Sequence, residues 1–159
     1  MQQAIKEFQM KHSFPTGIEL KSGGLQADHA LLMIARDLQK WSNCLEENIK
    51  RDCSDELLRR VHLMLEELAE TIEGMRRCDE LQVLDGLADL LYVAIGTAVT
   101  YGLPLEDAFW EVHRSNMTKQ VCNLNDPRLR DKGPDYVPPN LRQFLERGKD
   151  GNPEQVESC

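Results

Sequence analysis

The chain offers no paired-cysteine framework. Its five cysteines (Cys44, Cys53, Cys78, Cys122 and Cys159) are odd in number and include no C-x-x-C, so a disulfide scaffold or a zinc finger is not expected and a reducing compartment is. A surplus of basic charge is missing as well. Lys and Arg number 19 against 27 Asp and Glu, a formal charge of −8. Holding a nucleic acid polymer through a broad basic surface would need the opposite sign, so no nucleic acid partner is expected. There is no run of alternating apolar and polar residues rich in Val, Ile and Thr, which leaves strands almost nothing to be made of. No charged-then-apolar leader opens the sequence, and Cys159 is too close to the end for a prenylation box. The longest mostly apolar stretch, Leu90 to Val99, is about half of what spans a bilayer. Together these absences predict a cytoplasmic protein with no membrane partner.

What is present is helical periodicity. At 159 residues and 41% hydrophobic, the chain suits one domain with one core. That core is expected over about 27–119, followed by a loop or flap over 120–140 and a frayed end over 148–159. Met1 to Lys11 reads as a short helix. Leu31, Leu32, Ala35, Leu38 and Trp41 place a second helix from Asp28 to about Asn48. Asp52 to Glu56 carries capping chemistry for a third. In it Leu58, Val61, Leu65, Leu68 and Ile72 recur at three- and four-residue steps, the pattern of a bundle seam. A break is expected between Gly74 and Asp79. A fourth helix then runs from Leu81 to Val99 and stops at Gly102, with Pro104 opening a fifth to about Met117. Past Lys119 come Pro127, Gly133, Pro134, Pro138 and Pro139, then a short helix from Leu141 to Arg147. The expected fold is an all-α antiparallel bundle with an irregular Pro/Gly-containing C-terminal segment. The fourth helix is apolar on most sides, which predicts self-association as a homodimer or homotetramer.

The informative residues are acids. Glu66, Glu67, Glu70 and Glu73 crowd one arc of the third helix, where like charges three and four apart repel. An acidic solvated face would account for these alone. On the fourth helix, however, Asp85 and Asp89 are four apart, and Asp89 stands in the apolar stretch Leu87-Ala88-Asp89-Leu90-Leu91-Tyr92-Val93. Asp is a poor mid-helix residue, and an unpaired buried carboxylate is costly. Asp85, Asp89, Tyr92 and Gly96 share one helical face. Arg59, Arg60, Arg76 and Arg77 lie near the ends of the third helix, so a divalent cation is the better partner for these acids. Oxygen-only ligation by Glu66, Glu67, Glu70, Asp85 and Asp89 suits Mg²⁺, with Mn²⁺ possible, and not zinc. A di-iron bundle would want Glu-x-x-His motifs, and none of His12, His29, His62 and His113 stands three after a Glu.

Glu66-Glu67-Leu68-Ala69-Glu70 followed by Asp85-Gly86-Leu87-Ala88-Asp89-Leu90-Leu91-Tyr92-Val93 resembles the MazG-like nucleotide pyrophosphohydrolases. These belong to the all-α NTP pyrophosphatase superfamily, with dimeric dUTPases and phosphoribosyl-ATP pyrophosphohydrolases. The likeness continues through Glu111 to Lys119 and Lys132 to Pro139, covering about residues 54 to 140. It implies an E-x-x-E motif on Glu67 and Glu70 and the final Asp of an E-x-x-D motif on Asp89. The first acid of the second motif falls on Gly86, and Asp85 is the nearby acid that can stand in. The resemblance further implies Mg²⁺-dependent cleavage of a nucleoside triphosphate between its α and β phosphates. Glu66 or Glu67 would activate water, and Asn116 and Lys119 would contact the nucleotide. Arg114, Lys132 and Tyr136 are further substrate-binding candidates. Phe8, Phe14 and Trp41 are candidates for a base pocket, and His113 reads as structural. The contrasting expectation is an inactive helical bundle serving as an interaction module.

Overall fold

The computed structural model describes residues 1–51, 54–120 and 132–150, the side chains of 147–150 excepted. The protein is 74% helix, and the described residues contain no strand. Six helices follow in order: α1 (Gln2–Lys11), α2 (Gly24–Arg51), α3 (Glu56–Arg77), α4 (Glu80–Thr100), α5 (Leu105–Met117) and α6 (Arg142–Asp150). They fall into two compact units, one over residues 19–102 and one joining residues 1–18 to the chain from Leu103 onward. Pro127 of the expected flap and residues 151–159 of the expected frayed end lie outside the described residues.

In the first of these units α2, α3 and α4 form an antiparallel layer with α3 in the middle. The start of α3 is set by Asp55, whose carboxylate accepts from the Leu58 amide at 3.0 Å, and the start of α4 by Asp79 accepting from Gln82 at 3.1 Å. Both satisfy amides that a helix N-terminus leaves open. The break between the two helices falls at Cys78, inside the expected interval and in the left-handed region at φ 56°. Gly74 is buried inside α3 because α4 begins against it; a Cβ there would stand 3.0 Å from the Val83 amide nitrogen. On the other flank α2 is tied to α3 by Ser42 Oγ with His62 Nδ1 at 2.9 Å and by Arg76 with Asp28 at 2.9 Å.

A layer has two sides, and here they differ. Leu57, Val61, Leu68 and Met75 of α3, Leu84, Leu87, Leu91 and Ile95 of α4, and Ile34 and Trp41 of α2 are all exposed. Helical geometry puts them on one side of the layer. Of the five expected seam residues Val61 and Leu68 are therefore uncovered and Leu58, Leu65 and Ile72 half-buried, while the buried residues of α3 are Ala69, Thr71 and Gly74. The opposite side carries the acids. The helix α4 also departs from the sequence expectation about membranes. Over its whole 21 residues, with a mean hydropathy of 1.5 in its most apolar 18-residue window, it is long and apolar enough to cross a bilayer by length and composition.

In the other unit α1 packs on α5. His12, at the end of α1, is fully buried between Phe8 (ring centroids 4.4 Å apart) and Phe14 (6.1 Å). The Lys11 ammonium donates to the Met117 carbonyl at the end of α5. Pro104 opens α5 two residues after Gly102, whose φ of +61° allows the chain to leave α4. Residues 132–140 run back along α5, with the Val137 amide donating to Thr118 Oγ1 at 2.9 Å.

Candidate functional site

The five acids singled out in the sequence meet around Glu67. It is half-buried, and its carboxyl is pushed above the ordinary glutamate range, first by burial and then by the charges of Asp89, Glu70, Glu66 and Asp85. Every charged group acting on it is another acid. Among the described residues no three His, Cys, Asp or Glu side chains already close into a metal-binding cluster. The donor set is nonetheless hard oxygen throughout, and like charges facing one another in this way are neutralised by a divalent ion, so the residues fit Mg²⁺ or Mn²⁺.

One premise of the sequence argument is corrected. Asp89 and Asp85 are exposed, so Asp89 is not a carboxylate sunk in an apolar interior. Its apolar neighbours along α4 point to the other side of the layer, because a period of 3.6 puts adjacent residues on different faces. The acid under strain is Glu67. Tyr92 is exposed as well, at 79%, and is not core.

Gly86 explains how the two acidic helices come together. It is buried, and a Cβ there would stand 2.5 Å from Thr71 Oγ1 and 3.1 Å from the Thr71 Cα and backbone nitrogen. Thr71 in turn donates its hydroxyl to the Glu67 carbonyl at 2.8 Å. The backbones of α3 and α4 thus come close together one turn from Glu67, with Asp85 and Asp89 to either side of the contact. Gly86 faces α3 and leaves no room for an acid.

Two neighbours were not identified by sequence reasoning. His62, considered there only as a di-iron ligand, holds Nδ1 against Ser42 and brings Nε2 to 3.7 Å from Glu66 Oε2. Its four-residue spacing from Glu66 was the available signal. Beside Glu70, a cleft of about 450 Å³ opens between α2 and α3, lined by Leu32, Ala35, Arg36, Gln39, Glu73 and Arg76 among others. That volume suits a small ligand. Glu73 belongs to its wall and not to the acidic cluster, because Arg76 grips it through two nitrogens at 2.7 Å and holds its carboxyl below the usual range.

In the unit containing α5, Asn116 and Lys119 sit together at the helix end, where the Lys119 amide donates to the Asn116 carbonyl at 3.1 Å. Lys11 and Lys119 both act on His12, whose pKa is lowered by burial first and by those charges second. Among the described residues neither His12 ring nitrogen has a hydrogen-bond partner of good geometry. Arg114 is drawn into a latch. Its Nε and Nη2 grip the Glu111 carboxylate at 2.7 and 2.8 Å, and Nη2 also reaches the Pro138 carbonyl at 3.3 Å. Glu111 accepts from the Asn140 amide at 2.8 Å. The Lys132 ammonium lies 5.1 Å from the Tyr136 ring centroid. Phe8 and Phe14 clasp His12, while Trp41 belongs to the three-helix layer, so the three aromatics are divided between the units. His113 stacks on Phe109 and meets Trp110 edge-on, a packing role.

The Arg114 guanidinium and the Asn140 amide pull the Glu111 carboxyl down to about 2. The latch therefore contributes fully above the ordinary value of 4.5 and fades only as pH falls toward about 2. Carboxyl titration by NMR should place Glu111 near 2, and Glu111→Gln should raise hydrogen exchange at the Asn140 amide. A Glu111 titrating near 4.5 with Asn140 unprotected would show the strap undocked.

The model of one protein family, phosphoribosyl-ATP pyrophosphohydrolase, matches residues 37–116. The matched span holds most of α2, all of α3 and α4, and α5 as far as Asn116. The chain belongs to this family. It is thereby a member of the all-α NTP pyrophosphatase superfamily, as the motifs around Glu67 and Asp89 led us to expect. Family membership makes it a pyrophosphohydrolase acting on a nucleotide. All five acids lie inside the span that matches the phosphoribosyl-ATP pyrophosphohydrolase family, while Lys119, Lys132 and Tyr136 lie beyond it. No curated protein and no solved structure matches the chain.

Proposed function

We propose that the protein is a Mg²⁺-dependent nucleoside triphosphate pyrophosphohydrolase that releases a nucleoside monophosphate and pyrophosphate, with Mn²⁺ as a substitute metal. The observation that carries this reading is the crowding of Asp89, Glu70, Glu66 and Asp85 on the half-buried Glu67. Glu67, Glu70, Asp85, Asp89 and Glu66 are the residues that would hold metal. Bound there, the metal neutralises a polyphosphate that a protein at −8 would otherwise repel, and it stabilises charge on the leaving group. Glu66 or Glu67, whichever is not committed to metal, takes the proton of the attacking water. Glu67 stands at the centre of the acids, and His62 Nε2 lies 3.7 Å from Glu66 Oε2. The water oxygen bonds to the α phosphorus, and the α–β bridging oxygen departs with the pyrophosphate and its electron pair. Asn116 and Lys119 bind nucleotide in this reading, with Lys132 and Tyr136 as further contacts.

The same reading places the protein in the cytoplasm as a homodimer or homotetramer. A second copy covers the apolar side of the three-helix layer better than a bilayer does. The exposed residues come from α2, α3 and α4 together, and Asp85 and Asp89 near the middle of α4 would each cost roughly 2.5–3.5 kcal/mol at a bilayer centre. Incubation with a panel of nucleoside triphosphates plus Mg²⁺ or Mn²⁺ should yield monophosphate and pyrophosphate, and light scattering should give a mass of at least two chains. No turnover with any nucleotide, and no thermal shift on adding metal, would favour the interaction module. Orthophosphate with a diphosphate would mean that a different bond is cut, and a monomer that partitions onto lipid vesicles would sink the oligomer.

A further inference from the structure

Arg60 stands one stage along the groove from the acids and is not used by the function proposed above. Its Nε is held by Glu56 Oε1 at 2.6 Å, and its side chain is 23% exposed. The guanidinium crosses to α4 at Gly96, where a Cβ would stand 3.4 Å from Nη1. Glu56 is the only partner described for Arg60, so among the described residues its two terminal nitrogens are uncommitted. Gly96 continues the face of α4 that carries Asp85, Asp89 and Tyr92. Arg60 is seven residues from Glu67 on α3, and Gly96 is seven from Asp89 on α4, about 10 Å along either axis. The α2/α3 cleft lies in the other direction from the acids, toward Glu73 and Arg76. The acids therefore stand between a cleft large enough for a small organic group and an anchored, forked cation.

This order gives the groove a direction. We propose that Arg60 binds the β and γ phosphates that leave as pyrophosphate, while the nucleoside end points toward the α2/α3 cleft. The inference rests on the pyrophosphohydrolase reading and deepens it. A guanidinium whose Nε is tied back presents its two remaining nitrogens as a fork, the geometry that matches phosphate oxygens. Gly96 keeps that approach open, since a Cβ there would already touch Nη1 at 3.4 Å and a longer side chain would fill the space, and Glu56 is a positioning residue that fixes the direction of the fork. An ordinary pair between residues four apart on a helix surface would not need the crossing to α4.

The test is direct binding of the two products by calorimetry in the presence of Mg²⁺. Arg60→Met should weaken magnesium pyrophosphate binding about tenfold or more while leaving the nucleoside monophosphate within about twofold of the parent protein. Arg60→Lys, which keeps charge and loses the fork, should fall between, and it carries the comparison if Arg60→Met does not fold. Pyrophosphate binding unchanged in Arg60→Met overturns the inference, as does equal weakening of both products, which would mark a structural role. A parent protein that turns over nucleotide and yet shows no pyrophosphate binding overturns it while sparing the activity. A parent protein inactive on the whole nucleotide panel brings down the activity and this inference with it.

Discussion

Asp89→Asn leaves a folded protein whose nucleotide turnover falls more than about 100-fold. The substitution keeps the shape of the side chain and removes one negative charge from the group that acts on Glu67. Because Asp89 is exposed and sits among like charges, its loss should shift stability by no more than about 0.5 kcal/mol. The protein without metal should unfold at the same temperature or slightly higher. The effect appears when Mg²⁺ is added: the parent protein gains thermal stability by mass action and the variant gains little. Glu67→Gln should behave in the same way, with a clearer stabilisation of the metal-free protein because burial and like charges both disfavour the Glu67 carboxylate. The two variants together separate metal binding from packing. An Asp89→Asn protein that retains turnover, or that responds to Mg²⁺ as the parent does, would reduce Asp89 to a solvated helix residue.

The exposure of Asp89 also shows where sequence reasoning stopped. Periodicity and capping chemistry are local, so helices α3 and α4 follow from the chain, as does a cap within Asp52 to Glu56 that the structure places on Asp55, whereas the cap at Asp79 reads in the sequence only as the end of a break. The convergence of Glu66, Glu67, Glu70, Asp85 and Asp89 was legible for the same reason: spacing fixes which residues share a face, and a short connection makes neighbouring helices antiparallel. What could not be read was which side of each helix is covered. Asp89 has apolar neighbours in sequence, yet those neighbours point to the side of the layer that this chain leaves open. Arg114 matched a substrate-binding block; its pairing with Glu111 is local to α5, but its reach to the Pro138 carbonyl depends on a strap 24 residues further on. Arg60 was set aside as lying near a helix end, although the end of α3 is where α4 offers Gly96. In each case the deciding fact is a contact between segments, and a single sequence does not encode its contacts as visibly as its faces.

Gly86 is the sharpest instance, and a second prediction with a large expected effect follows from it. Against the family motif it looks like a lost ligand, which would favour an inactive module. Against α3 it is the only residue type that fits, because a Cβ would stand 2.5 Å from Thr71 Oγ1 and 3.1 Å from two Thr71 backbone atoms. Gly86→Ala gains roughly 1 kcal/mol of helix propensity, but it must push two backbones apart, an overpacking cost of about 1–3 kcal/mol and occasionally more. We expect a net loss of stability, measured by denaturant unfolding, together with lower turnover because Asp85 and Asp89 move away from Glu67. Gly86→Glu, which writes the family acid back into the motif, should be worse on both counts. Thr71→Ala removes the nearest clashing atom but not the backbone contacts, so in the double variant it should recover only part of the loss. If Gly86→Glu instead tightened Mg²⁺ binding and raised turnover at unchanged stability, the glycine would be an absent ligand after all, and the close approach of α3 and α4 would not be what sets the distance between their acids.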